Sequence, residues 1–118
     1  MSTRLEQIDG GLEEVLPVAP VAVLMLGKSD CHACQGWTEE LQQFLADDTE
    51  WKHVRFGKML LDKGGLFEFK RATPWLASLD TLPFNQIYVG GKEWKSFAGS
   101  GVERLVSRLR SLDQSDSA

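Results

Sequence analysis

Val21-Ala22-Val23-Leu24-Met25-Leu26-Gly27-Lys28-Ser29-Asp30-Cys31-His32-Ala33-Cys34-Gln35-Gly36-Trp37 is the stretch that decides the fold. Its first six residues are a continuous apolar run of strand length, which suits a strand buried on both faces of a helix-covered sheet. Gly27-Lys28-Ser29-Asp30 reads as a turn, with Ser29 or Asp30 as helix N-cap. Beyond it Trp37, Leu41, Phe44 and Leu45 recur at helical spacing, while Glu39, Glu40, Gln42 and Gln43 point elsewhere. This predicts a helix from Cys31 or Cys34 to Ala46, closed by Asp47-Asp48. A CxxC pair therefore lies between a buried strand and a helix start.

Both cysteines of the chain sit in that unit. Two cysteines three positions apart close almost no loop, so a bridge between them adds little stability, and their proximity points to chemistry. Thiol–disulfide exchange needs one thiolate to attack and a second thiol to resolve the mixed intermediate. Cys31 would meet unpaired backbone N–H groups and the positive end of the helix dipole, which favour a thiolate. Cys34 would lie one turn further in, more covered. A protonated His32 would favour the thiolate, and Asp30 would oppose it. Two other readings of the pair are a zinc site and a buried structural pair. Zinc usually takes four ligands, and the chain offers only Cys31, Cys34, His32 and His53, with His32 trapped inside the CxxC loop. No metal is therefore expected.

The rest of the composition sets bounds. With 118 residues, 42% of them hydrophobic and 25% charged, the chain is expected to form a single domain over 1–118 with one real core. A net charge of -4 argues against nucleic acid as the main partner, since phosphate binding needs a basic surface. The longest apolar-rich stretch, Val15 to Leu26, is interrupted by Pro17 and Pro20 and is too short to span a membrane. The start, Met1 to Leu12, carries Glu6 and Asp9 and no apolar run, unlike a secretory leader. A cytoplasmic monomer is the resulting expectation.

Along the chain, Leu5, Ile8, Leu12, Val15 and Leu16 predict a first helix over Thr3 to Leu16, weakened by Gly10-Gly11. A second strand is centred on Val54 to Leu61. Leu66 to Leu79 reads as two short helices or one kinked at Pro74. Phe84 to Val89 is a strand, Gly90-Gly91 a hairpin turn, and Lys92 to Phe97 the return strand. Val102, Leu105, Val106, Leu109 and Leu112 line a final helix, followed by a polar, frayed 113–118. The cluster Arg104, Arg108 and Arg110 reads as the wet face of that helix, and His53 as a surface residue of its strand. The order α-β-α-β-α-β-β-α predicts an α/β fold. Its centre is a mixed sheet of about four strands with helices on both faces.

Taken together, these features resemble the thioredoxin family over nearly the whole chain. Val21 to Leu26 followed by Ser29 to Cys34 matches the strand leading into the redox loop. Lys58-Met59-Leu60-Leu61-Asp62 is similar to the family's next strand, with its lysine and terminal aspartate. Leu82-Pro83-Phe84, the Gly90-Gly91-Lys92 hairpin and Phe97-Ala98-Gly99 match the second half. The resemblance implies that Pro83 is a cis-proline facing the CxxC, that Leu82 offers its backbone to an extended substrate, and that Gly99 borders that groove. It implies a thiol–disulfide oxidoreductase acting in electron transfer with Cys31 and Cys34 as catalytic residues. His32, Asp30 and Lys58 are modulators. Its partners are protein disulfides and an upstream thiol reductant, and no cofactor is needed beyond the redox-active pair. The alternative is a peptide-binding module with little turnover.

Three departures mark the chain as a divergent member. Asp30 stands where the family has tryptophan, His32-Ala33 replaces Gly-Pro, and Met25 occupies the place of the buried aspartate beneath the resolving cysteine. Proton transfer would then fall to water, His32, Lys58 or no dedicated group. The segment Gly64 to Thr81 is also longer than in a minimal member.

Overall fold

Five strands form one sheet in a computed structural model that describes residues 4–8 and 19–116. They are β1 (Leu5–Ile8), β2 (Val21–Gly27), β3 (Arg55–Leu60), β4 (Phe84–Val89) and β5 (Lys92–Ala98), in the order β1-β3-β2-β4-β5. β3 runs parallel to both β1 and β2, while β4 is antiparallel to β2 and to β5. The helices are α1 (His32–Asp47), α2 (Phe67–Ala72) and α3 (Val102–Asp116), with a 3-10 turn at Pro74–Ser78 between α2 and β4. Pro74 opens the 3-10 turn, so the segment between β3 and β4 is split in two, as its proline requires.

The apolar run of β2 is buried on both faces because successive side chains point to opposite sides of the sheet. Val23 and Met25 join Trp37, Leu41 and Leu45 of α1 and Leu105 and Leu109 of α3 in one core. Ala22, Leu24 and Leu26 join Leu66, Phe69 and Tyr88 on the other face. Burying a large apolar side chain such as those of Leu41 or Leu105 stabilises the fold by about 1.5–3 kcal/mol. The largest buried side chain, Trp37, fixes α1 against the centre of the sheet. It thereby places the residues just before it, including both cysteines, at the carboxyl end of β2.

The amino-terminal expectation is corrected. Leu5 and Ile8 sit at helical spacing, but Leu5–Ile8 is strand β1, paired with Phe56 to Met59. The edge of β3 would otherwise be unpaired, and Ile8 at 1% exposure is buried beside Met59. Tertiary pairing outweighs the local period here. The sheet thus has five strands rather than about four. Residues 9–18, which hold the remainder of that expected helix, lie outside the described residues. Arg4 and Arg55 hold β1 in place through ion pairs with Asp48 and Glu6. At the other end α3 continues past Leu112 to Asp116, so the helix takes in part of the expected tail; 117–118 lie outside the described residues.

Candidate active site

Cys31 and Cys34 are joined in a disulfide, with their Cα atoms 5.2 Å apart. Cys31 is itself the N-cap of α1, a place expected for Ser29 or Asp30. Its backbone is extended, its N–H donates to Lys28 O at 3.2 Å, and its Sγ accepts from the Cys34 N–H at 3.1 Å. A sulfur thus takes the capping position that an oxygen usually fills. Cys31 is half-buried, whereas Cys34 is 2% exposed. His32 opens the helix and Asp30 precedes the cap; both side chains are exposed.

Cys34 lies directly against the end of β2. A Cβ added to Gly27 would come within 3.0 Å of both Cβ and Sγ of Cys34, so the strand can approach the inner cysteine only because residue 27 has no side chain. Met25, at the place where the resemblance would put an aspartate, is fully buried two residues earlier. The buried polar residues among those described are Thr38, Thr73, Asn85 and Gln86, none of them a carboxylate. Lys58 is paired with Met25 in the parallel register of β2 and β3 and is half-buried.

The loop before Cys31 is clamped from the turn that follows β3. The Ser29 N–H donates to Asp62 Oδ1 at 3.0 Å, and the Ser29 hydroxyl donates to Asp62 Oδ2. These bonds, the hydroxyl's first and the backbone's second, hold the Asp62 carboxyl below its ordinary range. A depressed folded-state pKa contributes stability that is present above the unfolded value near 3.8 and lost as pH falls through the lower folded value. Asp62→Asn is therefore expected to flatten the acid limb of the stability curve below pH 4 relative to the parent. Urea midpoints measured from about pH 2 to 6 check this; identical acid limbs would refute the clamp.

On the opposite side of the pair, the Leu82–Pro83 peptide is cis. Leu26 pairs with Phe84, so Pro83 follows level with Gly27, which in turn touches Cys34. Gly99, at φ +89, donates its N–H to Pro83 O at 2.7 Å. The register thus brings Pro83 and Gly99 to the disulfide end of the sheet. Leu82 is half-buried, and its N–H and C=O have no backbone partner among the described residues.

Several residues of this neighbourhood escape a sequence reading. Asn85, 1% exposed, accepts from the Trp37 indole N–H at 2.7 Å and donates to Phe97 O at 3.2 Å and Gly99 O at 2.9 Å. One side chain so ties α1, β4 and the Gly99 loop together. Its only signal in the sequence is as one of two adjacent polar residues, Asn85 and Gln86, inside the expected strand Phe84 to Val89. The arginine cluster is likewise more than a wet face. Arg104 donates to Ala98 O at 2.8 Å and lies over the Phe97 ring, where Arg108 also stacks. Arg110 alone fits the expectation, in an exposed pair with Glu50 that contributes little. His53 is exposed beside Trp51, but in the turn before β3 rather than on the strand itself, at the end of β3 away from the disulfide. Trp75 packs on Phe84, next to Pro83. No group of three or more His, Cys, Asp or Glu among the described residues could hold a metal ion.

Solved structures share this architecture. Thioredoxin from Trypanosoma brucei brucei is similar with a TM-score of 0.72 and 17% identity, covering 97% of this chain and 97% of that one. Thioredoxin O2 from Arabidopsis thaliana, in its oxidized state, gives 0.70 and 18% over 95% and 96% of the two chains. Malassezia sympodialis thioredoxin gives 0.71 and 14% over 91% and 89%. No family model matches the sequence, and no curated protein does. The chain is a thioredoxin-fold protein, with a CxxC disulfide at the helix start where that fold meets its sheet end.

Proposed function

We propose that the protein is a thiol–disulfide oxidoreductase acting on protein disulfides. The observation that carries this reading is the asymmetry of the pair: Cys31 is half-buried and capped by a helix N–H, with Cys34 buried behind it. In the reduced protein the Cys34 N–H and the helix dipole favour the Cys31 thiolate. That thiolate attacks one sulfur of a substrate disulfide, forms a mixed disulfide and releases the first substrate thiolate. The Cys34 thiolate then attacks Cys31 Sγ, releasing the second substrate thiol and leaving the Cys31–Cys34 disulfide. Two electrons pass to the substrate, and an upstream dithiol returns them to the protein.

With Met25 beneath Cys34, no buried carboxylate takes its proton; water or Lys58 does so. His32 and Asp30 set the field at Cys31 from opposite signs. Leu82 presents its unpaired N–H and C=O to an extended substrate as an added strand, with Pro83 and Gly99 as the groove walls. Among the described residues no helix is long and apolar enough to cross a membrane. A monomer working in the cytoplasm is the simplest setting for this reading.

Insulin reduction driven by dithiothreitol tests it. Turnover above the reagent alone is expected for the parent protein and absent for Cys31→Ser. Equal rates for the two proteins would leave the peptide-binding alternative in its place.

A further inference from the structure

A cavity of about 560 Å³ opens beside Leu82, between the end of β3 and the 3-10 turn. Its walls are the side chains of Leu61, Leu76, Leu79 and Leu82, and Lys28 and Lys70 stand on it with Asp80. It adjoins the redox loop through covalent and hydrogen-bonded neighbours. Lys28 O accepts from the Cys31 N–H, and the Leu61 N–H donates to Gly27 O at 2.8 Å. Leu82 is one residue from Pro83. The cavity therefore shares its rim with the site already described but is built largely from the α2 and 3-10 segment.

Its charge differs from that of the molecule. The chain carries a net -4, yet the cavity holds two lysines against one aspartate. Lys70 spends one Nζ donor on Leu61 O at 2.7 Å, which holds the ammonium in place and leaves two donors free. Lys28 is exposed, and no ion pair engages it among the described residues. One helical turn before Lys70 stands Phe67, 71% exposed and the large hydrophobic residue that the described surface leaves most open. An apolar hole with two cations on its rim describes a surface for a peptide of matching chemistry.

We propose that this cavity is a specificity pocket for substrate proteins: it takes an apolar side chain near the reacting cysteine, and Lys28 and Lys70 pair with acidic residues flanking that side chain. The pocket deepens the oxidoreductase reading by naming its substrate class, and rests on it for the word substrate. The binding itself is independent of thiol chemistry.

The test therefore separates the two. Fluorescein-labelled, cysteine-free octapeptides are titrated against the full chain carrying Cys31→Ser and Cys34→Ser, read by anisotropy. One probe has a central leucine between two glutamates, a second has alanine in its place, and a third has lysines for the glutamates. The first is expected to bind about tenfold tighter than either other, a difference of roughly 1.4 kcal/mol. Lys28→Glu with Lys70→Glu should remove the preference for glutamate over lysine, and Ala77→Trp should remove the preference for leucine by filling the pocket. Circular dichroism confirms that each variant is folded. Equal binding of the three probes, or preferences that survive both variants, would overturn the pocket. Selective binding by a protein that reduces no insulin would uphold the pocket and overturn the oxidoreductase reading.

Discussion

Cys34→Ser is expected to hold substrates on the protein instead of releasing them. Cys31, half-buried at the helix cap, still attacks a disulfide, but the resolving sulfur is gone. Attack by Cys34 is intramolecular, and well-placed groups of that kind gain enormously over the same thiol in solution. Its removal should lower insulin turnover by about a hundredfold or more, on the conservative side of that gain. At the same time a covalent adduct should accumulate, visible on a non-reducing gel and released by dithiothreitol. Cys31→Ser should give neither turnover nor adduct. Adducts on Cys31→Ser in place of Cys34→Ser would reverse the two roles.

The second large effect falls on a residue with no sulfur nearby in sequence. Asn85→Leu removes the acceptor of the Trp37 indole N–H and the donor to Phe97 O and Gly99 O. All three groups belong to a site where Asn85 is 1% exposed, so water cannot readily replace the lost partners. Each buried polar group left unsatisfied costs about 1–3 kcal/mol, and partial relaxation suggests a total of about 3 kcal/mol. Urea denaturation should show this loss. The exposed Gln43→Ala should stay within about 0.5 kcal/mol of the parent. A change of under 1 kcal/mol for Asn85→Leu would show that the network is not what joins α1 to the Gly99 loop.

The parts of the fold legible in the sequence are those where one local signal has one structural solution. The run Val21 to Leu26 suits a strand covered on both sides, bounded as it is by Pro20 and Gly27, and it forms one. Pro74 had to interrupt a helix, and α2 ends before it. Gly90-Gly91 takes the positive φ angles, +60 and +82, of a tight hairpin. Where two solutions share a pattern, the sequence misleads. Leu5 and Ile8 fit a helix turn, but a vacant sheet edge beside β3 decides for a strand. The cysteines were visible as a site because their spacing is unusual for a structural bridge. The partners that shape the site were not, since each depends on contacts distant in the chain. Asp62 reaches Ser29 across 33 residues and Asn85 reaches Trp37 across 48. Gly27 is indistinguishable from an ordinary turn glycine until Cys34 is found against it. Arg104 and Arg108 look like surface charges until the Phe97 ring is found beneath them.

In the proposed exchange the half-buried Cys31 at the cap of α1 attacks and the buried Cys34 resolves. Limiting iodoacetamide applied to the fully reduced protein, followed by peptide mapping by mass spectrometry, tests this directly. Carbamidomethyl groups should appear on Cys31 well before Cys34, because the Cys34 N–H favours the Cys31 thiolate and Cys34 is 2% exposed. Labelling that begins at Cys34, or that proceeds equally at both sulfurs, would contradict the account.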